Sequence, residues 1–239
     1  MSISEYLDAI ESHFKRQSVV AEISSAQSSH KPPHCFITIS RQAGAGAISI
    51  GNEIAKLLND GKKLNWPCPW TLFDKDMINI VLEEHHLPEK FKKYMPESKI
   101  SQIDDVLEEL LGLHPSSIAL VHRTSETILH LAQAGHVVIV GRGSSVVTRI
   151  IKGGFHVRLV GSLKKRVQRV MEHSKVDIGK AEGLIAGWDK GRKKYIKDYF
   201  NKDIEDPLLY DLIINTDYIS YDKIAKIIVS SMLFSHGIV

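Results

Sequence analysis

One stretch near the N-terminus constrains the fold more than any other part of this 239-residue chain. Residues Phe36–Ser40 form a short apolar and β-branched run, which predicts a strand. Gly44 and Gly46 follow in a turn of small residues, and a helical pattern then continues past Leu58. A strand, a glycine turn and a helix in this order direct the amide groups of a helix N-terminus at an anion. The stretch therefore predicts a phosphate-binding loop.

The loop differs from the usual phosphate-loop pattern, G-x-x-x-x-G-K-[ST]. Arg41 stands at the position of the first glycine of that pattern, Ala47 at the position of the lysine, and Ile48 at the position of the serine or threonine. Arg41 is the nearest substitute for the lysine charge, and Ser49 is the nearest hydroxyl for Mg²⁺ if the loop is offset by one residue. The predicted phosphate loop comprises Arg41, Gly44, Ala45, Gly46, Ala47, Ile48 and Ser49.

Composition narrows the class of protein. A hydrophobic content of 43% and a charged content of 25% are ordinary for a soluble domain with a sizeable core. Two cysteines make neither a disulfide framework nor a metal site, and no apolar stretch reaches the length of a membrane span. We therefore expect a cytoplasmic protein. The net charge of +3 does not by itself predict nucleic-acid binding. Basic clusters at 163–169 and 190–194 fit either solvated helix faces or a clamp for a nucleotide.

The rest of the sequence alternates predicted strands and helices, which indicates a doubly wound parallel sheet. Further strands are predicted at 70–73, 136–140, 155–160 and 211–215. Helices are predicted at 116–134, 162–173 and 221–233, with two more within 177–201. Residues 1–30 read as a helix and a linker, and residues 34–239 as one domain.

Charged residues follow several of these strands, at the end where ligands bind in open α/β sheets. Asp74 and Lys75 follow the second strand, and Arg142 stands between two glycines after the third. The planar fork of arginine suits phosphate oxygens. Asp74 is equally suited to capping the next helix. Asp189 and Arg192 also fit a simple helical ion pair.

The order and spacing of these motifs resemble the cytidylate kinase-like family of P-loop nucleoside monophosphate kinases. The resemblance rests on Ser40-Arg41 with Gly44-x-Gly46, Phe73-Asp74-Lys75, Val138–Gly143, Asp189-x-x-Arg192-x-x-Tyr195 and Tyr210–Thr216.

The resemblance implies a three-layer α/β fold of the P-loop kinase type, with a five-stranded parallel sheet and a helical lid. The helix predicted within residues 1–30 would then be an N-terminal helical appendage. It implies transfer of the γ-phosphoryl group of ATP to a cytidylate-type acceptor, with Mg²⁺. The implied catalytic residues are Arg41, Arg142 and Arg192, and the implied acceptor-binding residues are Asp74, Lys75 and Arg142. The lid would contain Arg166, Arg169, Asp189 and Arg192, and Ser49 would be the metal ligand.

Two other functions stay open at this stage. The missing lysine at Ala47 favours a nucleotide-binding regulatory protein without turnover. A dinucleotide-binding oxidoreductase would use Gly44 and Gly46 as two of three fingerprint glycines, although Asp74 lies nearly 30 residues on rather than about 20. We expect the protein to bind nucleotides and to bind neither nucleic acid nor a membrane. The sequence leaves open whether it forms a homo-oligomer.

Overall fold

The computed structural model describes residues 12, 15–16, 34–60, 66, 68–74, 78, 103, 107 and 119–238. The predicted N-terminal helix lies outside the described residues, apart from Ser12, Lys15 and Arg16, which are helical. The predicted acceptor residue Lys75 also lies outside them. The strands are β1 (Phe36–Arg41), β2 (Thr71–Phe73), β3 (Val137–Val140), β4 (Gly154–Val160) and β5 (Leu212–Asn215). The helices are α1 (Ala47–Asp60), α2 (Ala119–Ala134), α3 (Ser144–Val147), α4 (Leu163–Ser174), α5 (Ile178–Phe200) and α6 (Tyr221–Ser235), with a 3₁₀ turn at Pro207–Leu209.

The described strands form one parallel sheet in the order β2-β3-β1-β4-β5. The chain first builds the β2 and β3 side of β1 and then crosses to the β4 and β5 side. Such a reversal leaves a crevice beyond the carboxyl ends of the central strands, where ligands bind in this class of sheet. The predicted five-stranded parallel sheet is confirmed.

Helices cover both faces of the sheet, which explains the continuous apolar sequence of β3. Val138 and Val140 pack with α1 and α6 on one face, and Val137 and Ile139 pack with α2 on the other. All four of these side chains are fully buried. The molecule therefore has the three predicted layers of helix, sheet and helix.

The prediction of two helices within 177–201 is wrong, because α5 runs unbroken from Ile178 to Phe200. Asp177 caps its start by accepting the amide of Lys180, and Asn201 ends it in the left-handed conformation. A glycine within a helix costs only about 1 kcal/mol, and the segment contains no proline that would break it. Packing of Ala181 and Ile185 against α4 offsets that cost. None of the described helices is both long and apolar enough to cross a bilayer.

Candidate functional site

The turn after β1 depends on its two glycines, since both adopt a positive φ, of 76° at Gly44 and 82° at Gly46. Protein atoms pack closely against both. A Cβ at Gly44 would lie 2.6 Å from the backbone oxygen of Arg166, and one at Gly46 would enter the ring of Tyr221. The glycines thus let α4 and α6 close around the predicted phosphate loop, in addition to shaping its backbone.

Two arginines of α4 touch this loop, whose lysine position holds the buried Ala47. Arg166 donates from Nη1 to the carbonyl oxygen of Ala43 at 3.2 Å. Arg169 donates to the carbonyl oxygen of Gly44 at 3.3 Å and to the Thr216 hydroxyl at 2.9 Å. The structure therefore places the positive charge of α4 beside the loop that lacks its own lysine.

Asp189 joins the long helix α5 to the same loop. Its Oδ1 accepts one hydrogen bond from the backbone amide of Ala43, at 2.7 Å, and another from Nη1 of Arg192, at 3.0 Å. Its Oδ2 accepts a hydrogen bond from Nη1 of Arg166 at 2.7 Å. Asp189 and Arg192 form the helical pair that the sequence allowed, and the carboxylate also holds a loop amide and a second helix. We call residues 162–200, which contain α4 and α5, the lid.

A second tight turn, Gly141–Gly143, follows β3. All three residues have a positive φ, including Arg142 at 54°, a conformation that a non-glycine residue rarely adopts. A Cβ at Gly141 would overlap the guanidinium of Arg41, and one at Gly143 would lie 2.9 Å from the Phe200 ring. The two glycines therefore make room for an arginine on one side and for the end of α5 on the other.

A cavity of about 350 Å³ opens between this turn, the end of β1 and α5, and Arg41, Arg142 and Arg192 all line it. Within the described residues, the guanidinium of Arg41 makes no hydrogen bond. Burial, followed by the nearby cations Arg192 and Arg142, lowers the pKa of Arg41 to about 10. Burial also lowers the pKa of Arg192, and Asp189 opposes that shift. An anion bound among these cations would relieve their repulsion and favour their charged forms.

Two further polar side chains were given no role by the sequence: Tyr210, which begins one of the motifs of the resemblance and lines this cavity, and Arg158, which lies beside Tyr210 and Ser40. Tyr210 donates to the carbonyl oxygen of Ile204 at 2.8 Å, and its hydroxyl lies 3.1 Å from the Oγ of Ser40. Arg158, on β4, donates to the same Oγ at 3.0 Å. A charged residue inside the apolar β4 sequence was the available signal for Arg158. No local pattern marked the pairing of Ser40 with Tyr210, which are 170 residues apart.

A buried polar network lies on β1 next to the cavity. The hydroxyl of Thr38 is 3.0 Å from that of Ser145 on α3 and 2.8 Å from Nδ1 of His156 on β4. Burial lowers the pKa of His156 from 6.5 to about 4, although Asp211 opposes the shift. His156 is therefore neutral at pH 7. The network links β1 to the helix that starts directly after the Gly141–Gly143 turn.

The structure brings most of the predicted site residues into two neighbouring groups. Arg41, Arg142 and Arg192 share the cavity. Gly44 and the residues around it meet the lid at Arg166, Arg169 and Asp189. Asp74 follows β2, and its charge acts on Arg41. Ile48 and Ser49 lie exposed in the first turn of α1, where Ser49 stays a predicted metal ligand.

Fold and site together define a class of protein. A parallel sheet of this order, a glycine loop joining β1 to a helix, and a helical segment whose arginines contact that loop are the parts of a kinase-like nucleotide-binding phosphotransferase. The strand order also differs from that of dinucleotide-binding oxidoreductases, in which the second strand lies beside the first.

Residues 36–218 match the cytidylate kinase-like family, and the chain belongs to that family. A cytidylate kinase from Staphylothermus marinus is 29% identical over 122 residues, which are 51% of this chain and 68% of that protein. An uncharacterized protein from Eubacterium ventriosum has a similar structure, with a TM-score of 0.56 and 18% identity, over 83% of this chain and 98% of that one. A shikimate kinase from Acinetobacter baumannii gives a TM-score of 0.47 and 14% identity, over 85% and 96% of the two chains.

Proposed function

We propose that this protein transfers the γ-phosphoryl group of ATP to a nucleoside monophosphate, with cytidine monophosphate as the leading acceptor. The acceptor is suggested by the family and by the cytidylate kinase relative. The observation that carries the proposal is the cavity at the carboxyl ends of β1 and β3, where Arg41, Arg142 and Arg192 converge. Phosphoryl transfer depends mainly on positioning and on stabilising charge, and arginines in a partly closed site supply both.

The donor phosphates would lie at the turn after β1. The first amides of α1 have no partner within the helix, and Arg166 and Arg169 contact the loop that leads into it, at the carbonyl oxygens of Ala43 and Gly44. These two arginines provide the cationic surroundings that Ala47 does not. Mg²⁺ usually binds nucleotides through one or two protein ligands, with phosphate oxygens and water completing its shell. The exposed hydroxyl of Ser49 is compatible with that arrangement, and the ion would neutralise phosphate charge.

The acceptor phosphate would lie in the cavity, against the guanidinium groups of Arg142 and Arg41. Arg142 is held in a strained backbone conformation between two glycines, and such strain persists where the surrounding structure enforces it, often at ligand sites. The lid residue Arg192 lies between the cavity and Asp189, which contacts the loop. It is therefore placed to bind charge between the two phosphate sites.

Arg142→Ala tests the acceptor site, with Arg123→Ala as a matched control, since Arg123 is exposed on α2 and outside the cavity. We expect Arg142→Ala to weaken binding of cytidine monophosphate by about 10- to 100-fold, because a hydrogen bond to a charged group contributes about 1.5–3 kcal/mol. Arg123→Ala should leave the affinity unchanged. Calorimetry measures both, and equal affinities for the two variants would reject the assignment.

A regulatory protein that binds nucleotides without turnover is the second candidate. Ala47 favours it, and so does the Asp189 carboxylate, which already holds the amide of Ala43 in the loop. An assay of ADP formation from ATP and Mg²⁺, with each of the common nucleoside monophosphates as acceptor, separates the two functions. Tight ATP binding without ADP formation for any acceptor would favour the regulatory protein.

A further inference from the structure

The cavity has two chemically different parts. Its cationic part consists of Arg41, Arg142 and Arg192, as described above. Its other wall is formed by the face of α5 that carries Trp188 and Tyr195. Trp188 and Arg192 are four residues apart and therefore neighbours on one side of the helix. A ligand whose phosphate reaches Arg192 thus has an indole ring close by.

Trp188 does not serve the packing of the core. It is 43% exposed, and within the described residues it makes no ring contact with another aromatic side chain. The other two tryptophans behave differently. Trp66 and Trp70 pack edge to face, with their ring centroids 5.5 Å apart, and both also contact the ring of His136. A large apolar side chain left half exposed at the wall of a charged cavity is suited to contact a ligand.

The helix leaves open space on both sides of Trp188. Gly187 precedes it and Gly191 lies one turn further on, and both line the cavity. A Cβ at either glycine would meet nothing within 4 Å, apart from its neighbours in the chain and the backbone of its own helix. The two glycines therefore leave space for a flat group beside the indole, within the same cavity. Every nucleobase presents a flat face of this kind, whatever its hydrogen-bonding edge.

We propose that Trp188 is the residue on which the base of the acceptor nucleotide stacks. This rests on the proposed function, because it assigns the base position of a monophosphate whose phosphate lies at the arginines. Stacking recognises a base by its flat face rather than by its hydrogen-bonding edge. Trp188 thus supports binding of every base that enters the cavity, and its removal weakens all of them.

The test compares wild type with Trp188→Ala, Trp188→Phe and the control Phe234→Ala. Phe234 is an aromatic side chain on α6 that is 79% exposed and does not line the cavity. The ligands are cytidine, uridine, adenosine and guanosine 5′-monophosphate, together with ribose 5-phosphate, which carries the phosphate without a base. Calorimetry gives each affinity. The fluorescence of Trp188 gives a second readout, with Trp188→Phe as its baseline.

We expect Trp188→Ala to lower the affinity for each bound monophosphate by about 5- to 100-fold, as removal of a stacked aromatic side chain does. Trp188→Phe should lose less than about 5-fold, and the affinity for ribose 5-phosphate should not change in any variant. The monophosphates should quench the fluorescence of wild type and of Phe234→Ala, but not that of Trp188→Phe.

Three results would overturn the inference, each in a distinguishable way. If Trp188→Ala binds the monophosphates as tightly as wild type, the base does not contact this residue. If the affinities for monophosphates and for ribose 5-phosphate fall together, Trp188 acts on the phosphate end or on the lid. If wild type binds none of the monophosphates, the proposed function itself fails, and the assignment of a base site fails with it.

Discussion

Replacing Asp189 with asparagine removes one negative charge from the contact between the lid and the loop after β1. The wild-type carboxylate accepts three hydrogen bonds, from the Ala43 amide at 2.7 Å, Arg166 at 2.7 Å and Arg192 at 3.0 Å. Asparagine keeps one acceptor oxygen and turns an amino group toward a guanidinium. The side chain of Arg166 is only 10% exposed, so its charge depends on protein partners.

The size of the effect follows from these contacts. Hydrogen bonds to charged groups contribute about 1.5–3 kcal/mol each. Solvent reduces the share of the Arg192 pair, since both partners are close to 30% exposed. In the variant, Arg166 also keeps its hydrogen bonds to the carbonyl oxygens of Gly161, at 3.0 Å, and Ala43, at 3.2 Å. We therefore expect Asp189→Asn to lower the free energy of unfolding by about 2–3 kcal/mol, which corresponds to a fall in Tm of about 5–10 °C for a chain of this size.

Urea denaturation at pH 7 measures this loss, and Asp198→Asn is the matched control on the same helix. Asp198 pairs with Lys194 at 3.2 Å, but the two side chains are 47% and 75% exposed. Such a pair contributes less than about 0.5 kcal/mol. If the two variants unfold at the same urea concentration, the contacts of Asp189 do not stabilise the fold, and the reasoning is refuted.

Two further predictions concern the site and the network beside it. Arg41→Ala should lower the affinity for cytidine monophosphate at least tenfold and the affinity for ATP less, because the Arg41 guanidinium lies against Gly141. Arg169→Ala should lower the affinity for ATP more than that for cytidine monophosphate, because Arg169 contacts the loop at Gly44. Calorimetry with both ligands checks this, and a selective loss of ATP binding in Arg41→Ala would contradict this prediction and support the sequence-based assignment of Arg41 to the donor phosphates. His156 has its pKa lowered to about 4, so the unfolded state binds the extra proton between pH 6.5 and pH 4, and stability is lost as the pH falls through that range. Between pH 7 and pH 5 wild type should lose about 2 kcal/mol more than His156→Gln in urea denaturation, and parallel losses in the two proteins would contradict this.

Much of the fold could be predicted because it is encoded in local patterns. The apolar runs at β1 and β3 and the amphipathic helix α6 are visible in short windows, because burial on both faces of a sheet, or along one stripe of a helix, dictates the spacing of apolar residues. The two glycine turns could be predicted for a similar reason, since the backbone there needs conformations that glycine adopts most easily.

The sequence determined which residues stand at the carboxyl ends of the strands, and it therefore named Arg41, Arg142 and the lid arginines. Only the tertiary structure decided which of these charges meet. It turned Arg41 toward Gly141, brought Arg166 and Arg169 against the loop, and joined Asp189 to the amide of Ala43, 146 residues away in sequence. It also kept α5 in one piece, through contacts with α4 that no window of α5 contains. The physical reason is that patterns of burial and backbone conformation act locally along the chain. The partners of a long charged side chain are set by the packing of distant elements.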